Sequence, residues 1–288
     1  MTVLVLSGGG LWSLGAIGVV EALDELCIDV DAYVGSSAGA LLAALFASGI
    51  RPRDLRRLAR DLSRRDFRVF WSSWFRALRG GRLPPAVFSD LGLWKRLDPM
   101  LQGQEWTSLE RPLWVVATSL TERQPLVFGL GAPVRPEIGR RLHLGWQGQA
   151  LDLRTALRAS IAVPGLLSPV PWGDHWLVDG GVVDDYPVDV AAWMGADQII
   201  GVWVDEVQPA RFPARWNALH ILQGSMTAMI RELSVLRQRQ ITVPVTTVRL
   251  EMDGGHRVFD RVTAIMDRGY QRARAQAAEM EGLTNVGV

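Results

Sequence analysis

The sequence contains few of the groups that form disulfides or bind metals. Its 288 residues include one cysteine, Cys27, so an internal disulfide and a cysteine-rich zinc site are both excluded. Cys27 continues the helical apolar pattern of Val20 and Leu23 and is interpreted as a packing residue. The histidines and carboxylates show no metal-ligand spacing, and the sequence therefore predicts neither a metal nor a cofactor.

Long hydrophobic runs are also missing. No apolar stretch approaches the ~18 residues that span a bilayer. The segment Met1-Thr2-Val3-Leu4 lacks the basic and apolar regions of a signal peptide. We therefore expect a cytoplasmic protein that is at most peripheral at a membrane surface.

The net charge is small but unevenly distributed. The formal net charge is +1, yet residues 51–82 contain eleven arginines and three aspartates. A sequence pI near 8.0 and the lack of a recognised binding module argue against a nucleic-acid partner. The length and the 48% hydrophobic content fit one α/β domain over residues 1–288.

Short β-runs alternate with helical patterns along the chain. The predicted strands cover residues 3–6, 33–34, 113–118, 126–128, 176–178, 199–204 and 245–250. The predicted helices cover residues 14–26, 41–46, 188–194, 219–238 and 258–280. This alternation is typical of a largely parallel sheet covered on both faces. Residues of about 51–112 are predicted to form a helical, arginine- and tryptophan-rich cap insertion.

A glycine-framed serine lies between one predicted strand and the next helix. Residues 35–39 read Gly-Ser-Ser-Ala-Gly, with Gly35 and Gly39 two residues either side of Ser37. The glycines allow a tight turn, which leaves the hydroxyl exposed at the positive end of the helix. The pattern indicates a nucleophile elbow and predicts Ser37 as the nucleophile of an acyl transfer. A plain glycine-rich turn is the alternative.

A run of three glycines follows the first predicted strand. The backbone N–H groups of Gly8, Gly9 and Gly10 could converge on an oxyanion, and Ala38 is expected to supply another N–H. A dinucleotide-binding loop is disfavoured, because a G-x-G-x-x-G register starting at Gly8 places Ser13 at its third glycine.

The general base is less evident from the sequence. Of the four histidines, His256 alone stands in a recognisable loop after a strand, so a Ser-His-Asp triad is poorly supported. Asp179 ends a β-run and is followed by Gly180 and Gly181, which would aim its carboxylate from a tight turn. A carboxylate within hydrogen-bond reach of Ser37 can accept its proton. In isolation, Asp-Gly-Gly is more typical of a plain turn.

Four ordered blocks resemble the patatin-like phospholipase family. They are the glycine run 8–10, the elbow 35–39, the Arg-Ala-Ser-Ile-Ala-Val-Pro-Gly segment 158–165, and the Val-Asp-Gly-Gly-Val segment 178–182. The similarity covers most of the chain and is weakest at residues 50–112 and 129–150.

The resemblance implies a three-layer α/β/α sandwich and a Ser-Asp dyad in place of a triad. It implies Ser37 as nucleophile, Asp179 as base and the glycine loop as oxyanion hole, and we expect partial burial to raise the pKa of Asp179. The implied function is a serine acyl hydrolase that cleaves carboxylic esters of lipids, like a phospholipase A or a lysophospholipase. A non-enzymatic lipid-binding or regulatory module on the same fold is the alternative, and it would predict a broken dyad.

Some positions depart from the family pattern. The glycine loop continues with Trp12 and Ser13, where the family usually has a basic residue and a glycine, and Ser119 replaces an aspartate that often follows the Ala-Thr of a middle strand. The missing positive charge admits lysophospholipids, monoacylglycerols or simple esters as substrates.

Aromatic residues recur on one face of a predicted helix in the arginine-rich segment. They are Phe67, Phe70, Trp71, Trp74 and Phe75. A basic helix with an aromatic face is typical of a membrane interface, so residues 64–79 are predicted to contact membranes peripherally. The alternative is a cap helix packed on the core. The sequence does not indicate an oligomeric state.

Further carboxylates follow the predicted strands 176–178 and 199–204. They are Asp184, Asp185, Asp205 and Glu206. All four are interpreted as structural or solvated.

Overall fold

A computed structural model describes residues 1–63, 66, 68–69, 88–205, 218–252 and 258–284. Its strands are β1 (Thr2–Leu6), β2 (Ala32–Ser36), β3 (Arg68–Val69), β4 (Phe88–Ser89), β5 (Leu113–Ser119), β6 (Gln124–Gly129), β7 (Gly145–Gly148), β8 (Val170–Trp172), β9 (His175–Asp179), β10 (Gln198–Asp205) and β11 (Val245–Glu251). Its α-helices are α1 (Gly15–Glu25), α2 (Ala38–Ala47), α3 (Pro52–Arg60), α4 (Leu91–Leu101), α5 (Pro136–Leu142), α6 (Leu153–Ser160), α7 (Val188–Trp193), α8 (Ala218–Gln238), α9 (Val262–Ala275) and α10 (Ala277–Thr284). Within these residues, no helix combines the length and hydropathy needed to cross a bilayer.

The main sheet is largely parallel. Its strand order is β11-β10-β1-β2-β5-β6-β7, and the first five strands along that path, from β11 to β5, run parallel to one another. Antiparallel pairing begins at β6, which folds back on β5. The strands β8 and β9 form a hairpin, and β9 also pairs with β5.

Helices cover both faces of the sheet, because the strand side chains alternate between two apolar cores. In β1, Leu4 and Leu6 face one core, which contains residues of α1, α2 and α9. Val3 and Val5 face the second core, which contains residues of α7. Two cores separated by a sheet make a three-layer sandwich, so the predicted α/β architecture is confirmed.

Local predictions failed at two points. The helix before Cys27 ends at Glu25, and Cys27 is exposed with φ 55°, so its interpretation as a packing residue was wrong. In the insertion, Arg68–Val69 pairs with Phe88–Ser89 as an antiparallel ladder rather than continuing the predicted aromatic helix. Phe67, Phe70, Trp71, Trp74 and Phe75 lie outside the described residues.

Candidate active site

The backbone turns sharply at Ser37, between β2 and α2. Ser37 has φ 52° and ψ −131°, a conformation that non-glycine residues rarely adopt and that costs on the order of 1–3 kcal/mol. A Cβ atom at Gly35 would overlap the backbone of Ala40, and one at Gly39 would overlap the carbonyl oxygens of Leu6 and Ser7. The two glycines therefore let the turn close, and Ser37 caps the N-terminus of α2.

The sheet brings Asp179 to the same place from the opposite direction. β5 pairs with β2 as far as Val116, opposite Ser36, and its next residue, Ala117, faces Asp179 at the end of β9. The two strands therefore meet end to end along one edge of β5. This register places a serine and an aspartate that are 142 positions apart in the sequence side by side.

The two side chains form a short hydrogen bond. The Ser37 hydroxyl donates to Asp179 Oδ2 at 2.6 Å, and the Gly181 N–H donates to Asp179 Oδ1 at 2.7 Å. Both residues are buried, with 8% and 4% of their surface exposed. The predicted pair is thus in contact. The Gly181 amide holds the carboxylate, and glycine is required there because a Cβ atom would lie 2.9 Å from Asp179 Oδ1.

Burial gives the carboxylate the proton affinity that a base needs near neutral pH. Desolvation raises the pKa of Asp179 to about 7, and the hydrogen bonds from Ser37 and Gly181 oppose that rise. The direction agrees with the expectation from the sequence. A carboxylate with this pKa can accept a proton from a serine hydroxyl more readily than an exposed aspartate can.

Ser160 holds the backbone of the elbow through hydrogen bonds. Its hydroxyl accepts a hydrogen bond from the Ser37 N–H at 3.0 Å and donates to the Val116 carbonyl at 2.6 Å. Ser160 is fully buried at the end of α6, so it ties the elbow to β5. Sequence reasoning missed this role, although Ser160 lies within one of the four blocks.

The three backbone amides of the glycine loop, residues 8–10, differ in their hydrogen bonding. The Gly8 N–H donates to the Asp185 carbonyl oxygen at 3.1 Å, so it serves the fold rather than an oxyanion. In the described part of the chain, the N–H groups of Gly9, Gly10 and Ala38 have no acceptor. Of the four amides expected to donate to an oxyanion, these three are free to do so and Gly8 is not.

An apolar cavity of about 570 Å³ opens at the serine. Gly10, Ser37 and Ala38 are among the residues that line it. The rest of its lining is mainly leucine and other apolar side chains, among them Leu41, Leu42, Leu45, Leu55, Leu58 and Ala59. A long apolar group could therefore be buried with its polar end beside Ser37.

His143 and His175 lie in other surroundings. His143 ends α5 in a left-handed conformation, and His175 stacks on Trp172 and faces Glu122 at 3.7 Å. His256 lies outside the described residues. The partner of the Ser37 hydroxyl is thus a carboxylate.

A buried carboxyl cluster lies just beyond the Asp-Gly-Gly turn. Asp189 accepts a hydrogen bond from Arg237 at 2.6 Å, and both Asp184 and Asp189 are fully buried. Neither carboxyl oxygen of Asp184 has a hydrogen-bond partner among the described residues. Burial, and then the charge of Asp189, raises the pKa of Asp184 well above its ordinary value, against the opposing charge of Arg237. Asp184 is therefore buried rather than solvated, and Glu206 lies outside the described residues.

The raised pKa of Asp184 predicts that the protein loses stability as the pH rises. Above the ordinary aspartate pKa of about 3.9, the unfolded state releases a proton that the native state retains, so the free energy of unfolding falls until the native carboxyl also ionises. Each unit of pKa difference contributes about 1.4 kcal/mol. Asp184→Asn is expected to flatten this pH dependence in urea unfolding.

The exposed Asp174 provides the matched control, because Asp174→Asn should leave the pH dependence of unfolding unchanged. An equally steep loss of stability in Asp184→Asn and in the unmodified protein would contradict the assignment.

The chain is similar to known proteins in sequence and in fold. A family model described as "Patatin-like phospholipase" matches residues 4–192, which is more than half of the chain. Patatin-like phospholipase domain-containing protein 7 of Rattus norvegicus is 26% identical over 249 residues, covering 83% of this chain and 16% of that protein. An uncharacterized NTE family protein of Mycobacterium bovis is 29% identical over 236 residues, covering 81% of this chain and 56% of that protein.

The solved structures include a similar fold. The crystal structure of VipD from Legionella pneumophila matches with a TM-score of 0.50 at 14% identity, covering 97% of this chain and 66% of that one. This chain thus spans between about a sixth and two thirds of the length of the proteins it is compared with.

Proposed function

This chain belongs to the patatin-like phospholipase family, and on that premise we propose that it is a serine acyl hydrolase that cleaves carboxylic esters of lipids. The observation that carries the proposal is the 2.6 Å hydrogen bond from Ser37 to Asp179 beside an apolar cavity. The bond supplies an activated nucleophile, and the cavity supplies a place for an acyl chain.

The first half of the reaction forms an acyl-enzyme. Asp179 Oδ2 takes the hydroxyl proton as Ser37 Oγ attacks the ester carbonyl, and the carbonyl electron pair moves to oxygen. The N–H groups of Gly9, Gly10 and Ala38 donate to this oxyanion. When the carbonyl re-forms, the bond to the alcohol breaks, and Asp179 returns its proton to the leaving alcohol.

The second half repeats these steps with water. Asp179 accepts a proton from a water molecule as the water oxygen attacks the acyl carbon. The same amides hold the new oxyanion. The bond to Ser37 Oγ then breaks, and the serine regains its proton from Asp179. The positive end of the ten-residue α2, which begins at Ala38, favours both negatively charged intermediates.

The cavity and the glycine loop indicate the substrate class. The cavity lining is almost entirely apolar, so we assign it to an acyl chain. Ser13 is buried, and its hydroxyl donates to the Ser7 carbonyl, so it is unavailable to a head group. Lysophospholipids, monoacylglycerols and simple esters are therefore the preferred candidates.

Covalent labelling tests the proposal directly. A fluorophosphonate probe should label the protein at Ser37, and a series of p-nitrophenyl esters and lysophospholipids should be hydrolysed. The Ser37→Ala variant should show neither reaction. If the unmodified protein binds these lipids but neither reacts with the probe nor hydrolyses an ester, the non-enzymatic lipid-binding alternative replaces the proposal.

The depth of the cavity predicts an acyl-chain preference that one substitution can alter. Leu45 lies seven residues beyond Ala38 on α2, roughly 10 Å further along the helix. Leu45→Phe adds volume at this deeper position and should reduce kcat/KM for long-chain esters about tenfold relative to short-chain esters, as expected for about 1.4 kcal/mol of lost binding. Rates on p-nitrophenyl esters of increasing chain length measure this change.

Leu120→Phe is the matched control, because Leu120 is 51% exposed and does not line the cavity. It should leave the chain-length profile unchanged. The same relative loss on short and long esters in Leu45→Phe would show that the cavity does not hold the acyl chain.

A further inference from the structure

Asp185 joins the Asp-Gly-Gly turn to the glycine loop. Its carbonyl oxygen accepts the hydrogen bond from the Gly8 N–H at 3.1 Å. Gly8 immediately precedes Gly9 and Gly10, two of the proposed oxyanion donors. Asp185 thus holds the end of the loop that the reaction uses, and it was expected from the sequence to be merely structural or solvated.

The carboxyl group of Asp185 also lies against both motifs. A Cβ atom on Gly8 would overlap Asp185 Oδ1. A Cβ atom on Gly181 would lie 2.7 Å from Asp185 Oδ1 and 2.9 Å from Asp179 Oδ1. The two carboxyl groups therefore flank the same glycine, and Asp185 is a neighbour of the catalytic base.

Desolvation and the charge of Asp179 both disfavour the ionisation of Asp185. Desolvation, and then the charge of Asp179, raises the pKa of Asp185 to about 7, while the Gly8 amide opposes that rise. Asp185 in turn raises the pKa of Asp184. The glycine loop carries no charge of its own.

The helix α8 packs against the same turn, and two of its arginines are paired with other carboxylates. The pairs are Arg231 with Asp205 and Arg237 with Asp189.

The hydrogen bonds decide which of the two neighbouring carboxyl groups ionises first. Two close carboxylates, the buried Asp179 and the half-buried Asp185, repel each other, so they release their protons in two separate steps. Asp179 receives hydrogen bonds from the Ser37 hydroxyl and the Gly181 amide. The Gly8 amide is the one group that lowers the pKa of Asp185, and its N–H donates to the Asp185 carbonyl oxygen. Asp179 therefore ionises before Asp185, and the ionised Asp179 can act as a base.

We propose, on the basis of the proposed function, that Asp185 must keep its proton during turnover and that its ionisation inactivates the site on the alkaline side. An ionised Asp185 beside Gly8 would place a second negative charge next to the amides that hold the oxyanion. That charge opposes the negative charge developing in the transition state. The result is a bell-shaped pH profile in which two carboxyl groups form both limbs, without a histidine.

The pH dependence of Asp185→Asn tests this role. In the unmodified protein, kcat/KM for a p-nitrophenyl ester should rise with pH and then fall by about tenfold per pH unit on the alkaline side. Asparagine keeps the size of the side chain but cannot ionise, so the variant should stay at its own plateau where the unmodified protein declines. The rate of Ser37→Ala is subtracted as background, and thermal unfolding is followed over the same pH range.

Asp185→Ala also removes the ionisable group and provides a second variant if the asparagine variant does not fold. Loss of the alkaline limb in a folded variant supports the proposal. A retained alkaline limb overturns it, as does an unmodified protein whose activity does not decline. If the role of Asp185 were purely structural, its substitution would lower kcat/KM at every pH without changing the shape of the pH profile.

Infrared spectroscopy separates this proposal from the proposed function. If the unmodified protein hydrolyses no ester, the function fails, but the proton on Asp185 can still be observed. At a pH where Asp179 has ionised, the unmodified protein should show a protonated-carboxyl absorption, in addition to that of Asp184, that is missing from Asp185→Asn. Identical spectra would refute the retained proton.

Discussion

Asp179→Asn is expected to reduce kcat/KM on ester substrates by about 10²–10⁴-fold, the usual contribution of a positioned general base. Asparagine can still accept the 2.6 Å hydrogen bond from the serine hydroxyl, but it cannot take its proton. Binding of the acyl chain in the apolar cavity should persist, so KM should change less than kcat. Steady-state kinetics on a p-nitrophenyl ester measure both constants.

The pH profile of the unmodified protein provides an independent check on the base. Since the pKa of Asp179 is raised to about 7, activity should fall as the pH drops below neutrality and the carboxylate becomes protonated. Asp179→Asn should lose this acid limb together with most of its rate, whereas the exposed Asp174→Asn should keep both. A variant at Asp179 that retained more than about a tenth of the rate, with the same acid limb, would point to another base.

The elbow and the Asp-Gly-Gly turn were predictable from sequence because each is encoded locally. Gly35, Gly39 and Gly181 stand beside the functional residues along the chain, and the structure leaves no room for a Cβ atom at any of the three. Pairing the two motifs, however, depended on resemblance. In isolation, Asp-Gly-Gly was more typical of a plain turn, since the register on β5 that joins it to Ser37 is a tertiary feature.

The supporting residues could not be recognised from sequence for the same reason. Ser160 bonds the elbow from 123 positions away, and a buried serine near the end of a helix has no distinctive local pattern. Asp185 looked like a solvated turn residue because its contact with Gly8 spans most of the chain. Both roles arise where the loops that follow β1, β2 and β9 meet.

The strand predictions succeeded where apolar runs were continuous and failed where they were interrupted. The buried central strands β1, β5 and β10 were found nearly to their ends. The short strands β7 and β8 read Gly-Trp-Gln-Gly and Val-Pro-Trp and have no such run. Their pairing depends on the neighbouring strands β6 and β9 rather than on their own composition.

Gly39→Ala is expected to destabilise the protein by at least about 1–3 kcal/mol, the usual cost of forcing a methyl group into a filled space. The new Cβ would overlap the carbonyl oxygens of Leu6 and Ser7, which belong to the backbone and cannot rotate away. Gly39 does not adopt a positive φ, so the cost arises from overlap and not from the conformation of residue 39. Urea unfolding of the variant and of the unmodified protein measures the loss.

Gly103→Ala separates overlap from backbone strain. Gly103 has φ 77°, and a Cβ atom there would meet nothing within 4 Å, so alanine should cost only the roughly 1–2 kcal/mol of a left-handed residue. Gly103 lies in the turn after α4, away from the residues that line the apolar cavity, so the activity of the folded variant should be unchanged. If Gly39→Ala were as stable as the unmodified protein, the close approach of α2 to β1 would be wrong.

The activity of folded Gly39→Ala should fall further than its stability does, because Gly39 lies where the elbow touches the chain that leads into the glycine loop. Relieving the overlap must move Ser37 and Ala38 away from Ser7, and therefore away from the amides of Gly9 and Gly10. A shift of about 1 Å between a nucleophile and its oxyanion donors can cost on the order of 10²-fold in rate. The variant should therefore lose about this much kcat at a temperature where it remains folded, with KM nearly unchanged. Loss of activity in proportion to the unfolded fraction alone would show instead that the glycine loop moves with the elbow.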